Sequence, residues 1–551
     1  MEDRYERRTV ATRIALPALA IFAIIFTVTW LLHIFLLQLP YFWDEAGYYI
    51  PAARDLWLNG QLIPTSTVSS GHPPLVMAWI ALWWKLSGST PAVTRTAMLL
   101  IAAFGLLGVF RLAKHVANTA VALAATALTA IYPVWFAQSS LAHLDVAAAA
   151  FTFWGLDAYL RNRRWLCVLL FGIGGLAKET AVVAPIALCA YGLIAPRLFS
   201  LWGRSRQHES SSCLPVPDPG VIRSLALLAC VLPLAAWFLY HRAHTGVFFG
   251  NPEFFRYNVA ATANPLRIPL AMIQRFWHAF GYLNLFVLVG AAAMAMFYRP
   301  LLETNGEERP RIALSVQAVF GLVILAYVVM LSVVGGAVIA RYMLPVVPLV
   351  IIIAVSTLRR RISWWPWATA VVGLAFVLAL FTNPPYRISP EDNLSYVDFV
   401  RLHQSAAKVI ETRYPNSRIL TAWPASDELT RPWLRYVDTP LQILRVDNFS
   451  LPEIQLAAAQ RDQYQVAYVF STKLEPRAPM FAAPFWTRLQ EKYFDYHSDL
   501  SPEAIAGLLG GRITYQAHRG DEWVAIVAIE NVQNAQVTGI NELARIELVQ
   551  D

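Results

Sequence analysis

The sequence predicts a polytopic α-helical membrane protein that ends in a C-terminal soluble α/β domain, and three observations carry that reading. Of 551 residues, 57% are hydrophobic and 15% charged, with a mean hydropathy of +0.46. A soluble domain of that length has no interior large enough to hide so much apolar surface. The apolar residues gather in runs long enough to cross roughly 30 Å of hydrocarbon, and after about residue 385 those runs stop. The net charge of +8 reflects Arg residues clustered in short loops between the runs. That pattern orients membrane proteins and excludes a nucleic-acid partner.

Eleven spans are expected, near 13–37, 92–110, 118–137, 146–160, 165–177, 180–196, 222–241, 280–298, 312–334, 342–358 and 364–382. The first is too long for a signal-peptide core and has no small-residue cleavage site behind it, so it stays as a span. The run PPLVMAWIALWWKLSG at 73–88 is short, Trp-rich and interrupted by Lys85. It suits either a span or a helix lying in the interface. Loop charge selects the interfacial helix, because a spanning 73–88 would place RLAKH (111–115), RNRR (161–164), RLFSLWGRSR (197–206) and RRR (359–361) outside. With these loops and the Arg-rich N-terminus cytoplasmic, one outer face collects Asp44 and Glu45, HLD at 143–145, AKE at 177–179, the stretch 242–279, the start of RYMLP at 341–345 and the tail. SSSCLPVPDPG at 210–220 reads as a cytoplasmic linker. Cys167, Cys189, Cys213 and Cys230 lie in spans or in one loop and the tail has no cysteine, so no disulfide framework is implied.

Two domains follow, 1–384 in the membrane and 385–551 outside it. In the second, NLSYVDFVRLHQSAAKVIETRY reads as a helix, RILTAW, LQILRV, QVAYVFS and EWVAIVAIE as strands, and PEIQLAAAQR as a further helix. It carries no phosphate loop, metal-spaced cluster or nucleophile elbow. Support of the membrane site, or a lid over it, is its expected role.

Charged groups at a membrane boundary are costly and mark function, although each has a plainer reading. In YFWDEAGYY (41–49), Asp44 could cap the helix that follows. Glu45 is then left over, and in such a helix Glu45 shares a face with Tyr49, and Asp44 with Tyr48. Two acids backed by aromatics suit a sugar hydroxyl that must be gripped and deprotonated. His72 stands before two prolines in SSGHPPL, as a proton carrier, phosphate donor or metal ligand, or as an ordinary interfacial His. Asp145 caps a helix, or joins His143 and the acidic pair in a site for Mg²⁺ or Mn²⁺. Lys178 pairs with its neighbour Glu179, or meets a phosphate. Arg341 has no acid beside it in sequence; it snorkels to the interface, or presents its fork to phosphate oxygens. Arg256 with Tyr257, and Arg275, are weaker candidates on the long outer loop.

The order DE (44–45), HPPL (72–75), HLD (143–145), AKE (177–179) and RYMLP (341–345) resembles the GT-C membrane glycosyltransferases of the protein O-mannosyltransferase and aminoarabinose-transferase type. The resemblance covers roughly residues 13–382. It implies an inverting transfer of a sugar from a polyprenyl phosphate to a hydroxyl of a lipid, glycan or protein on the outer face of a membrane, by analogy the bacterial inner membrane, with the tail periplasmic. Carried over by position, Asp44 is the base, Glu45 an acceptor or cation ligand and Asp145 a second-loop acid. Lys178 and Arg341, with His72 and Arg256, hold the donor phosphate. The aminoarabinose type carries Lys where His72 stands here, a departure that weakens the case for aminoarabinose as the sugar. A transporter or flippase is the rival from another class, because intramembrane charges also mark substrate pathways. It predicts two related halves, and no internal repeat is visible.

Overall fold

The computed structural model describes residues 2–202, 220–248, 250, 264–334, 336–476, 484–494 and 496–529. Arg256, Tyr257, Cys213 and all but the last residue of the 210–220 linker lie outside the described residues. The chain divides into two compact units. The first comprises Met1–Gln38, Tyr48–Thr382 and Glu391–Asn393; the second comprises Leu39–Gly47, Asn383–Pro390 and Leu394–Asp551.

The first unit is helical. By length and composition, four of its described helices suffice to cross a membrane: Pro91–Val116, Gly220–Thr245, Arg267–Ala295 and Leu314–Val334. Shorter apolar helices include Pro17–Leu32, Leu75–Ser87, Arg164–Ala177, Glu179–Ile194 and Trp365–Phe381. The expected continuous span 118–137 is instead two helices, Thr119–Ile131 and Pro133–Ser140, bent by 66°. Pro133 is the cause, since it has no N–H for the preceding turn and pushes Tyr132 out of helical geometry (ψ 126°). The bend buries Gln138, Ser139 and Ser140. The helices Pro91–Val116, Asp145–Leu160 and Arg164–Ala177 pack together through small residues. A Cβ on Gly155 would stand 2.6 Å from the Phe171 ring, so only glycine permits that approach. At one end of this group RLAKH and RNRR meet, with Arg111 and Arg161 at 3.4 and 2.7 Å from Asp157. At the other end lie Asp145 and Lys178.

The second unit is built on a five-stranded mixed sheet: β1 (Arg418–Ala422), β2 (Gln442–Val446), β3 (Val466–Phe470), β4 (Gly511–Arg519) and β5 (Glu522–Ile529), in the order β2-β1-β3-β5-β4. The first three are parallel, and β5 runs antiparallel to both β3 and β4. β3 is buried throughout, as a central strand covered on both faces must be. The helix Ser395–Arg413 lies against the β4–β5 pair. Because β2 and β3 flank β1 on opposite sides, the chain changes direction at the carboxyl end of β1, where α/β sheets present a crevice. Trp423 and the helix Ala425–Thr430 follow that end directly.

Candidate active site

Four charged side chains, from segments far apart in sequence, converge in the first unit. Asp145 opens the helix Asp145–Leu160 without capping it. Its carboxylate instead stands 2.6 Å from Lys178 Nζ and 3.4 Å from Arg341 Nε. Lys178 sits in extended backbone (φ −157°, ψ 137°) between the helix Arg164–Ala177 and a short 3₁₀ turn, which turns its side chain inward. Arg341 lies in another 3₁₀ turn, Ala340–Met343, and its Nη1 is 3.1 Å from Glu391 Oε1. Asp145, Lys178, Arg341 and Glu391 are all buried. Arg341 therefore does not snorkel, Asp145 is not a cap, and Lys178 takes Asp145 as partner while Glu179 turns to His72.

Glu391 and its neighbours are docked on the helical unit by three further bonds. Gln138 donates to the Glu391 carbonyl (3.0 Å), Tyr282 to Asp392 (2.6 Å) and Asn393 to the Ala379 carbonyl (3.3 Å). His143 Nδ1 lies 2.7 Å from Gln138 Oε1 and 3.1 Å from Arg341 Nη1, while its Nε2 is buried with no partner among the described residues. The Tyr342 ring has Lys178 Nζ 3.8 Å from its centroid, with the Arg275 and Arg341 guanidinium carbons each at 5.9 Å. Arg275 is fully buried and donates to the Ala337 carbonyl (3.0 Å), yet its Nε and Nη1 have no hydrogen-bond partner among the described residues. Cations thus gather around one ring, two of them balanced by carboxylates and the third unsatisfied. A buried guanidinium in that state favours an anion.

The cation site expected at Asp145 and His143 meets a different setting. Asp145 is engaged by Lys178 and Arg341, and His143 faces Arg341, so the donor set does not fit a divalent metal. Among the described residues, no group of three or more His, Cys, Asp or Glu could hold a metal ion.

His72 Nδ1 is 2.8 Å from Glu179 Oε2. Tyr49 links this pair to the charged group, its ring centroid 6.1 Å from that of His72 and 6.0 Å from that of His143.

Asp44 and Glu45 belong to the second unit. The helix expected to start there begins instead as a π-helical turn, Glu45–Tyr49, and becomes α-helical only at Ile50. Such turns recur at functional sites. Glu45 is buried, and its carboxylate accepts from the Phe42 N–H at 2.9 Å, so it stabilises its own turn; Asp44 is half-buried. The turn rests on an aromatic platform at the carboxyl end of β1. Phe42 meets Phe399 at 5.2 Å, Trp43 meets Trp423 at 5.1 Å, and Tyr436 donates to the Tyr41 carbonyl at 3.0 Å. A Cβ on Gly47 would stand 2.6 Å from the Trp423 indole, so only glycine lets the turn seat there.

The sequence reading missed Glu391, Gln138 and Arg95. Arg95, buried within an expected span and donating to the Ser140 carbonyl at 3.0 Å, carried a readable signal, since a charge inside a span is a warning in itself.

Residues 71–208, about a quarter of the chain, match the family model described as dolichyl-phosphate-mannose-protein mannosyltransferase. No curated protein matches the sequence. Among solved structures, ArnT from Cupriavidus metallidurans bound to undecaprenyl phosphate superposes with a TM-score of 0.50 at 15% identity, covering 94% of this chain and 98% of that one. The archaeal oligosaccharyltransferase AglB from Archaeoglobus fulgidus, in complex with an inhibitory peptide and a dolichol-phosphate, gives 0.43 at 11% identity over 92% of this chain and 74% of that one. The chain is an integral membrane protein of GT-C-type fold, similar to the mannosyltransferase family over 71–208 and to ArnT along nearly its whole length.

Proposed function

We propose that the protein transfers a sugar from a polyprenyl-phosphate donor to a hydroxyl of a lipid, glycan or protein acceptor at the outer face of the membrane, with inversion at C1. The observation that carries the reading is the buried group of Lys178, Arg341 and Arg275 around Tyr342, in which Arg275 keeps two guanidinium nitrogens without a partner among the described residues. That is a place for a phosphate monoester, the leaving group of such a transfer. The likeness to a fold solved with bound undecaprenyl phosphate supports the donor class.

In the proposed step the acceptor oxygen attacks C1 in line as the bond from C1 to the phosphate oxygen breaks. The electron pair departs with the phosphate, leaving free polyprenyl phosphate, and the acceptor proton passes to the Asp44 carboxylate. Lys178, Arg341 and Arg275 offset the charge that grows on the phosphate. Asp145 and Glu391 hold two of these cations in position beforehand, which spares reorganisation during the step. Glu45 keeps the turn that presents Asp44, and His72, paired with Glu179, is assigned to the donor phosphate. The Arg-rich loops favour a cytoplasmic N-terminus and a periplasmic tail in a bacterial inner membrane.

The test is release of free polyprenyl phosphate from radiolabelled polyprenyl-phosphate sugars by the purified full chain, with membrane lipid and protein acceptors present. We expect turnover of one donor, reduced about 10²- to 10³-fold in Arg341→Ala and abolished in Asp44→Asn. Equal turnover by wild type and Arg341→Ala contradicts the reading.

A further inference from the structure

At the end of the helical group opposite Asp145 and Lys178, two basic segments meet around one carboxylate. Asp157 is buried, and Arg161 Nε, Arg111 Nη2 and His115 Nδ1 stand 2.7, 3.4 and 3.6 Å from it. Asn162, at a left-handed φ of 57°, reverses the chain here, and the Arg163 N–H closes the turn on the Ala158 carbonyl at 2.8 Å. Arg163 and Arg164 follow at once and are exposed, as is Lys114, which shares a helix face with Arg111. Against the positive charges of Arg111, Lys114, Arg161, Arg163 and Arg164, Asp157 is the one carboxylate in ion-pair range among the described residues. Arg111 also keeps a buried Nε without a hydrogen-bond partner among the described residues.

A second basic loop of the same unit is built differently. In RRR (359–361), Arg359 stands 3.6 Å from Glu303 and Arg360 2.6 Å from Glu308, while Arg361 donates to the Met296 and Tyr298 carbonyls. That loop meets its charge with neighbouring acids and carbonyls. Orientation in a membrane depends on the number of Arg and Lys in a loop, so it accounts for both loops but not for one being neutralised and the other left bare. Apolar surface adjoins the bare one. Trp165, directly after Arg164, is 85% exposed, and Leu166 and Leu169 are exposed on the same helix, Arg164–Ala177. Trp165 and Leu169 share a face. On an integral membrane protein such residues meet lipid, the Trp at headgroup level and the leucines against acyl chains. Guanidinium forks next to an apolar strip complement a phosphodiester headgroup of net negative charge.

We infer that the turn formed by residues 161–164, with Arg111 and Lys114, binds the headgroup of an anionic phospholipid whose chains lie along Trp165 and Leu169. A zwitterionic headgroup brings an ammonium up to these cations and gains less, and free phosphate lacks the chains. The test titrates the detergent-solubilised full chain with fluorescent phosphatidylglycerol and, separately, fluorescent phosphatidylcholine, with inorganic phosphate as a competitor of the first. We expect phosphatidylglycerol to bind about tenfold tighter than phosphatidylcholine and to resist displacement by millimolar inorganic phosphate. Arg163→Ala combined with Arg164→Ala should weaken phosphatidylglycerol binding about tenfold, with folding checked by thermal unfolding. Lys114→Ala, on the other helix, should weaken it about threefold and reports independently should the Arg pair fail to fold. Arg359→Ala combined with Arg360→Ala, in the loop already neutralised, should change it by less than about twofold. Equal binding of the two lipids, displacement by inorganic phosphate, or an affinity unchanged in Lys114→Ala overturns the inference. An equal loss in the Arg359 and Arg360 variant overturns it as well, because any basic loop would then serve.

Discussion

The helical unit and the sheet unit each bury polar partners contributed by distant segments, a group of four in the first and a pair in the second. In the helical unit Asp145, Lys178, Arg341 and Glu391 come from segments spread over more than 240 residues, and beside them Arg275 keeps donors without a partner among the described residues. In the sheet unit, His403 and Glu428 meet at 2.6 Å within a cage of Phe399, Phe470 and Tyr468 rings. In the proposed function the first grouping holds cations ready for an anion. The second lies inside a packed core, where His403 Nε2 and Glu428 Oε1 have no hydrogen-bond partner among the described residues but no excess of one charge sign is present. Burial and pairing alone do not mark a site; in the proposed function the excess of cations around Tyr342 does.

Substitutions at the two groupings test that contrast. Asp145→Asn removes the partner of two buried cations and should cost about 3–5 kcal/mol of stability, the usual penalty for breaking a buried pair, read by thermal unfolding. Added polyprenyl phosphate restores the missing negative charge, so it should raise the Tm of this variant more than that of wild type. His403→Asn should lower stability by about 1–3 kcal/mol, since Glu428 loses its partner. Turnover per folded molecule should not change, and no lipid should rescue the loss. A His403 variant rescued by polyprenyl phosphate, or an Asp145 variant indifferent to it, would erase the distinction.

In the proposed function the sheet unit contributes in another way, as the seat of the turn bearing Asp44. Trp423→Ala takes away the indole against which Trp43 and Gly47 rest. It should lower kcat about tenfold, roughly 1.4 kcal/mol, with little change in affinity for the donor. A rise in donor KM at unchanged kcat would instead assign the platform to binding.

The smallest effect concerns Glu522 on β5, whose Oε2 is buried without a partner among the described residues. Burial first, then the Asp398 and Asp521 charges, push its carboxyl well above the usual carboxylate range. The folded state therefore binds this proton more tightly than the unfolded chain. Its stabilising contribution is complete below the ordinary carboxylate pKa and is lost as pH rises through the elevated one. Glu522→Gln should raise stability at neutral pH by about 1 kcal/mol, with the advantage shrinking in acid. An equal gain at both pH values would contradict the linkage.

Much of this was readable from the sequence. The motif order placed Asp145, Lys178 and Arg341 together because charges at span ends cannot be scattered at random in a membrane protein. In the tail, the expected helix and four strands fall at Ser395–Arg413 and at β1, β2, β3 and β5. β4 was missed because its partly exposed alternation, GRITYQAHR, lacks a strong apolar stripe. Its signal was Gly520, whose positive φ of 57° makes the tight turn into β5. Glu391 was hidden because it stands in a polar stretch that composition assigns to the tail, while its docking depends on Gln138 and Tyr282 far away in sequence. The π-helical turn at Glu45–Tyr49 has no local code, since the packing of Trp43 and Gly47 on Trp423 selects it. The bend at Pro133 was written plainly in the sequence, and the assumption of a continuous span concealed it.

In the proposed function the cations around Tyr342 bind the phosphate of a polyprenyl lipid. The most direct test is equilibrium binding of polyprenyl phosphate to the full chain in nanodiscs, for wild type and Arg341→Ala, with folding checked by thermal unfolding. We expect saturable binding that weakens about ten- to a hundredfold in the variant, the worth of a charge-assisted hydrogen bond to phosphate. Binding of equal strength in both proteins would contradict it.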